Sequence, residues 1–181
     1  MKAKKKVVRR KSAGLVKRVS KVVASQVEPE DAPPAGVDAE LHREIMRRIN
    51  NRYYDNKDLC SMRRGGPGLA ELAGVIPLTK GMGEEAIVTY VEHLEKVIAT
   101  RDHCGRCEAK VLAIMCLMMG DVDPERAHGY EGRVHIRKTR MGGFGENRDF
   151  FEEVKEEAEW EERRMAERNA RPGCVKPAWM E

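Results

Sequence analysis

From Val111 to Met119 the chain reads VLAIMCLMM, a run without one polar side chain, closed by Gly120. Residues 107–119 therefore predict a helix that is apolar almost all round, and such a helix is stable only where neighbours cover every side of it. Gly120 supplies its C-terminal stop. The neighbours are written in the same period. Ile87, Val91, Leu94 and Ile98 form one stripe over 84–100, with Val88 and Val97 beside it. Leu41, Ile45, Ile49 and Tyr53 recur at i, i+4 spacing over 39–54. Asp38 is placed to N-cap that first helix, with Glu40 in its first turn. No β-α-β alternation and no series of hairpins occurs. The expected fold class is all-α, a small helical body of about four to five helices.

The body is small because apolar material is scarce. Leu, Ile, Val and Phe together number 36 of 181 residues, against 35% charged residues and a mean hydropathy of −0.61. That composition borders on disorder and excludes a large enzyme core. No stretch of about 18 uncharged apolar residues is present to span a membrane. Between residues 41 and 124 there are six Met but neither Phe nor Trp, which makes the core adaptable and weakly specifying. All Phe and Trp lie beyond residue 140. They either complete the core or dock on a second copy, and the narrow stripe of the last helix favours at least partial homo-oligomerisation.

The net charge of +4 conceals strong segregation. Residues 1–27 are a basic arm, with ten Lys or Arg and no acid before Val27. Residues 28–37 are an acidic linker whose Pro29, Pro33 and Pro34 forbid a helix. The helical body follows over 38–128, then a basic Gly-rich loop or short strand over 129–147. A charged amphipathic helix over 148–170 carries Phe151, Val154, Ala158 and Met165 on one side, flanked by Phe150 and Trp160. The tail is 171–181.

In the arm, Lys4, Lys5, Lys6, Arg9, Arg10 and Lys11 are suited to phosphates, because each contact releases a condensed counterion and several together give salt-sensitive, sequence-independent affinity. Two other readings stand beside this one. The arm could be a solvated leader, or a transit peptide in which Leu15, Val16, Val19, Val22 and Val23 make an amphipathic turn, although it favours Lys over the usual Arg.

Two further basic zones occur. Arg43, Arg47 and Arg48 share the outer face of the first helix, where they face phosphates or pair with Glu40 and Glu44. Asp123-Pro124 opens a short helix near 124–128. Beyond it, Val134 and Ile136 alternate with Arg133, His135, Arg137 and Lys138, which reads as a strand or extended arm with a basic side. Arg140 and Phe144, set among Gly142, Gly143 and Gly145, add charge and a stacking ring suited to single strands or RNA. A flexible surface loop is the competing reading.

Leu69 to Val75 resembles the second helix and turn of a helix-turn-helix unit. Pro77, Gly81 and Gly83 then stand where a recognition helix should follow, so a short packing helix is expected.

Five Cys without a secretory signal point to a reducing compartment, cytoplasmic or similar, within a nucleoprotein particle. Cys104-Gly-Arg-Cys107 is half a zinc site, and His128 with His135 would complete a C-x2-C-x20-H-x6-H pattern (Cys60 with His103 is the alternative). The same pair, at the mouth of the 107–119 helix, resembles a thioredoxin-type turn with a lowered thiol pKa, although the chain before it reads as helix. Two ordinary small residues at a helix corner are the third reading, and Cys116 reads as core packing.

No Ser elbow, H-E-x-x-H, kinase set, Walker loop or dinucleotide turn occurs. Glu84-Glu85 and Glu152-Glu153 are adjacent on helices, face different ways and read as solvated. The expectation is a non-enzymatic nucleic-acid-associated protein that requires no cofactor, with zinc the candidate metal. It would bind DNA or RNA phosphates in a ribosome, virion or packaging machine, or as an accessory factor. The alternatives are an adaptor using the C-terminal helix and aromatic tail, and a Cys-x-x-Cys redox protein.

Overall fold

The computed structural model describes residues 32–51, 67–101, 103–141, 149–171, 173 and 179. Contacts divide the chain into Met1–Asp31 and Ala32–Glu181, and all described residues belong to the second unit. Among them the fold is all-α, with seven helices: α1 (Ala39–Ile49), α2 (Pro67–Ala73), α3 (Val75–Thr79), α4 (Glu84–Thr100), α5 (Gly105–Met119), α6 (Pro124–Arg140) and α7 (Phe150–Ala170). No helix among the described residues is long and apolar enough to cross a membrane.

α5 is the apolar helix of the sequence and sits at the centre. Ten of its side chains are buried, from Cys107 to Met119, and α2, α3, α4, α6 and α7 all pack against it. Its chain leaves through Gly120 and a tight turn in which the Val122 and Asp123 amides donate to Met119 O at 2.9 and 2.8 Å. Asp123 Oδ1 then accepts from the Arg126 amide at 3.0 Å, and Pro124 takes the first position of α6. α5 and α6 thus form an antiparallel hairpin, with Met141 at the end of α6 lying 3.6 Å from the β position of Gly105.

α6 corrects the expectation for residues 129–141, while 142–147 lie outside the described residues. It continues in helical form to Arg140 where a loop or strand was expected. Ala127, Tyr130 and Val134 are buried at i, i+3, i+7, a helical period diluted in the sequence by Gly129 and Gly132. Val134 and Ile136, read as alternating strand residues, lie on nearly opposite sides of a helix. Val134 is buried and Ile136 is 54% exposed.

α1 is shorter than its stripe implied. Asp38 caps it as expected, accepting from the Glu40 and Leu41 amides at 2.8 and 3.1 Å. The helix ends at Ile49 with Asn50 as C-cap, and Tyr53 lies outside the described residues. Its buried face is His42, Ile45, Arg48 and Ile49, rotated from the apolar stripe so that Leu41 is half-buried. His42 Nδ1 lies 2.9 Å from Tyr90 Oη, which ties α1 to α4. Burial pushes the Tyr90 phenol up to about 12, so the phenol keeps its proton at any ordinary pH.

α2 and α3 are two short helices broken at Gly74, with Pro77 inside the first turn of α3, a packing corner in place of a recognition helix. α7 closes the bundle with Phe150, Val154, Ala158, Glu161 and Met165 inward at spacings of four, four, three and four. Phe150 thus leads the stripe in place of Phe151. Phe151 and Trp179 pack against the core beside Phe150, so three of the late aromatics complete the body within the chain, while Trp160 remains 48% exposed under the Arg164 guanidinium.

Candidate nucleic-acid interface

Burial and pairing redistribute the basic residues picked out in the sequence. Lys4, Lys5, Lys6, Arg9, Arg10, Lys11 and Phe144 lie outside the described residues. On α1 the expected phosphate face does not form. Arg48 is 1% exposed; its Nε donates to Glu44 Oε1 at 2.8 Å, and its Nη1 donates to Glu71 O at 3.0 Å and to Glu161 Oε1 at 3.2 Å. Arg47 bridges Glu44 at 2.8 Å and Glu71 at 2.6 Å. Burial pushes the Glu44 carboxyl up, but hydrogen bonds and charge from Arg47 and Arg48 outweigh it and hold that carboxyl below its usual range. These acids already neutralise two of the three arginines. Arg43 remains exposed, its Nε donating to Ala39 O at 3.3 Å.

α6 separates by angle the four basic residues picked out on it, Arg133, Arg137, Lys138 and Arg140. Residues three and four apart share a helix face, and Gly129, Gly132, Arg133, Ile136 and Arg140 form one such row. Arg133, Ile136, Gly129 and Arg140 are exposed, and nothing lies within 4 Å of the β position of either glycine. Arg133 and Arg140 make no salt bridge among the described residues. Arg137, on the flank, is tied to Glu108 at 2.5 Å. Lys138 is half-buried on the side that faces the bundle. The outward row is thus two cations, one apolar side chain and two open stretches of backbone.

Along one flank of this row, α6 is fixed to α4. Tyr130 Oη donates to Glu95 Oε1 at 2.5 Å, and Arg126 donates to Tyr130 Oη at 2.8 Å and to Glu95 Oε2 at 3.1 Å. Burial, reinforced by Glu95, pushes the Tyr130 phenol up to about 12. The row therefore stands on a rigid support.

The four residues of the zinc pattern are not brought together. Cys104 and Cys107 sit at the start of α5, beside the end of α6. His128 and His135 are exposed on α6, flanking Glu131 at 3.3 and 3.8 Å. Among the described residues no three His, Cys, Asp or Glu side chains are grouped to hold a metal ion. The spacing fails because helix 124–140 carries both histidines on a face turned from α5. Cys60 lies outside the described residues.

The carboxylate pairs divide. Glu84, Glu85 and Glu152 are exposed, whereas Glu153 is half-buried and bridges Arg106 at 2.8 Å and Lys110 at 3.2 Å. Burial raises the Glu153 carboxyl, and those two cations more than reverse it. Lys110 is itself buried and also contacts Glu157, where burial prevails over Lys110 and the carboxyl is pushed up. Sequence reasoning missed both buried cations, Arg48 and Lys110. Their signal lies in the facing helix, where an acid occupies or borders the apolar stripe.

Comparison of the chain with protein-family models, curated proteins and solved structures returns no match.

Proposed function

We propose that this chain is a non-enzymatic nucleic-acid-associated protein, a component of a nucleoprotein assembly. In this reading the arm supplies most of the charge and the outward row of α6 supplies a fixed contact. The observation that carries it is the row itself: Arg133 and Arg140 stand exposed, without acid partners among the described residues, while the other cations of the bundle picked out for phosphate binding are largely paired or turned inward. Open glycine backbone beside two guanidinium groups allows close approach of a phosphate chain, and Ile136 offers an apolar contact to a sugar or base.

The test is binding of the full chain to a duplex and to a single-stranded oligonucleotide over a range of salt. Changing Lys4, Lys5, Lys6, Arg9, Arg10 and Lys11 together to Gln is expected to remove most of the salt dependence. An unchanged slope sinks the arm's part in this reading.

A second reading has one observation of its own. Trp160, half-exposed on α7 with Arg164 lying 5.3 Å over its ring, is the kind of aromatic–arginine pair that anchors protein interfaces. An adaptor role through α7 predicts that Trp160→Ala abolishes assembly and leaves oligonucleotide binding intact.

A further inference from the structure

We propose that Cys104 and Cys107 are a reversible dithiol–disulfide site at the head of the central helix. Their sulfurs lie 3.2 Å apart, and neither is in a disulfide. A disulfide needs about 2.05 Å, so a small side-chain rotation closes the gap, and Gly105 stands between the two cysteines where the chain must yield.

The two thiols are not equivalent. Cys104 is the N-cap of α5 and half-exposed, and its sulfur accepts the Cys107 amide at 3.3 Å. That N–H and the positive end of the helix dipole favour negative charge on Cys104 Sγ. Cys107 is 1% exposed, sealed in the core behind it. One sulfur is thus the accessible nucleophile and the other the resolving thiol. Cys116 is no competitor, because burial and the Glu131 carboxylate push its thiol up.

The co-reactant is a small-molecule disulfide such as oxidised glutathione. Cys104 loses its proton to solvent and attacks one sulfur of that disulfide. The bond between its sulfurs breaks, and the departing half leaves as a thiolate that takes up a proton. Cys107 then loses its proton and attacks Cys104 Sγ, expelling the second half as a thiolate, which is protonated in turn. The protein dithiol is oxidised by two electrons and the small disulfide is reduced to two thiols. The reverse sequence restores both cysteines.

The experiment equilibrates the full-length protein in glutathione buffers of graded reduced-to-oxidised ratio, blocks remaining thiols with an alkylating agent, and identifies tryptic peptides by mass. Cleavage after Arg106 places the two cysteines on separate peptides, 102–106 and 107–110, so their disulfide is read directly as a linked pair. The expected result is that this linked pair rises with oxidation and disappears on return to reduced buffer. In the folded protein, Cys104 in a Cys107→Ser variant is expected to alkylate about tenfold faster than Cys107 in a Cys104→Ser variant. Ser is itself a good N-cap, so Cys104→Ser keeps α5 folded. The proposal fails if the linked pair never forms, or if Cys104 is instead joined to Cys60, Cys116, Cys174 or another chain. It also fails if untreated protein carries about one zinc ion per chain that Cys104→Ser removes.

Discussion

Gly74 lies against the Arg48 guanidinium so closely that a β-carbon at position 74 would overlap Arg48 Nη1 and crowd Glu161 Cγ. The glycine that breaks α2 from α3 is therefore the opening through which a buried cation reaches its acid on α7. Gly74→Ala forces either the guanidinium or the helix corner to move and is expected to cost about 1–3 kcal/mol. Gly132→Ala, inside α6 with open space around it, is expected to gain up to about 1 kcal/mol from helix propensity. Urea unfolding of both variants at equal m-value checks this, and equal effects would contradict it.

Arg48→Met is expected to destabilise the fold by about 3–5 kcal/mol, because it leaves the Glu161 carboxylate buried without its principal cation. Pairing it with Glu161→Leu should recover much of that loss, since the remaining charge then disappears as well. Arg133→Ala, exposed and without an acid partner among the described residues, should change stability by no more than about 0.5 kcal/mol. A thermal or chemical melt that ranks Arg133→Ala beside Arg48→Met would mean that Arg48 is not the buried anchor described.

The helical period made most of the fold legible. Glu84–Thr100 falls where the Ile87–Ile98 stripe put it, and the Val111–Met119 run is central because nothing but a core accommodates it. Legibility failed where polar residues occupy inward positions. The α7 stripe has a gap between Ala158 and Met165 that Glu161 fills, and Arg48 completes the matching face of α1. Neither charge reads as buried until the two helices are brought together. The same ambiguity spoiled the candidate site. Arg47, Arg48 and Arg137 have the composition of a phosphate surface but are committed to Glu44, Glu71, Glu161 and Glu108. Gly129 and Gly132 disguised α6 as a loop by lowering its helix propensity.

The carboxylates of α7 pull stability in opposite directions with pH. Glu153 is held below the ordinary value of 4.5, so its contribution is complete above that value and disappears as pH falls through its folded pKa. Glu157 is raised, so its contribution is present below about pH 4.5 and is lost as pH rises through its folded pKa. At neutral pH, Glu153→Gln should therefore lower Tm and Glu157→Gln should raise it. The Glu157 difference should shrink towards zero below about pH 4.5, and the Glu153 difference only at the lower pH where its own folded carboxyl is protonated. Thermal melts from pH 3 to 8 decide it, and a Glu157→Gln variant less stable than the parent at pH 7 would contradict the account.

Removing the two outward cations of α6 addresses the central claim most directly. Affinity of the full chain and of its Arg133→Ala/Arg140→Ala variant for a single-stranded oligonucleotide is measured against salt. Each phosphate contact contributes about 0.7 to the slope of log affinity on log salt. The account predicts that the double variant folds as the parent does and loses about 1.4 from that slope. A parent slope near zero, or a slope untouched by the double substitution, would contradict it.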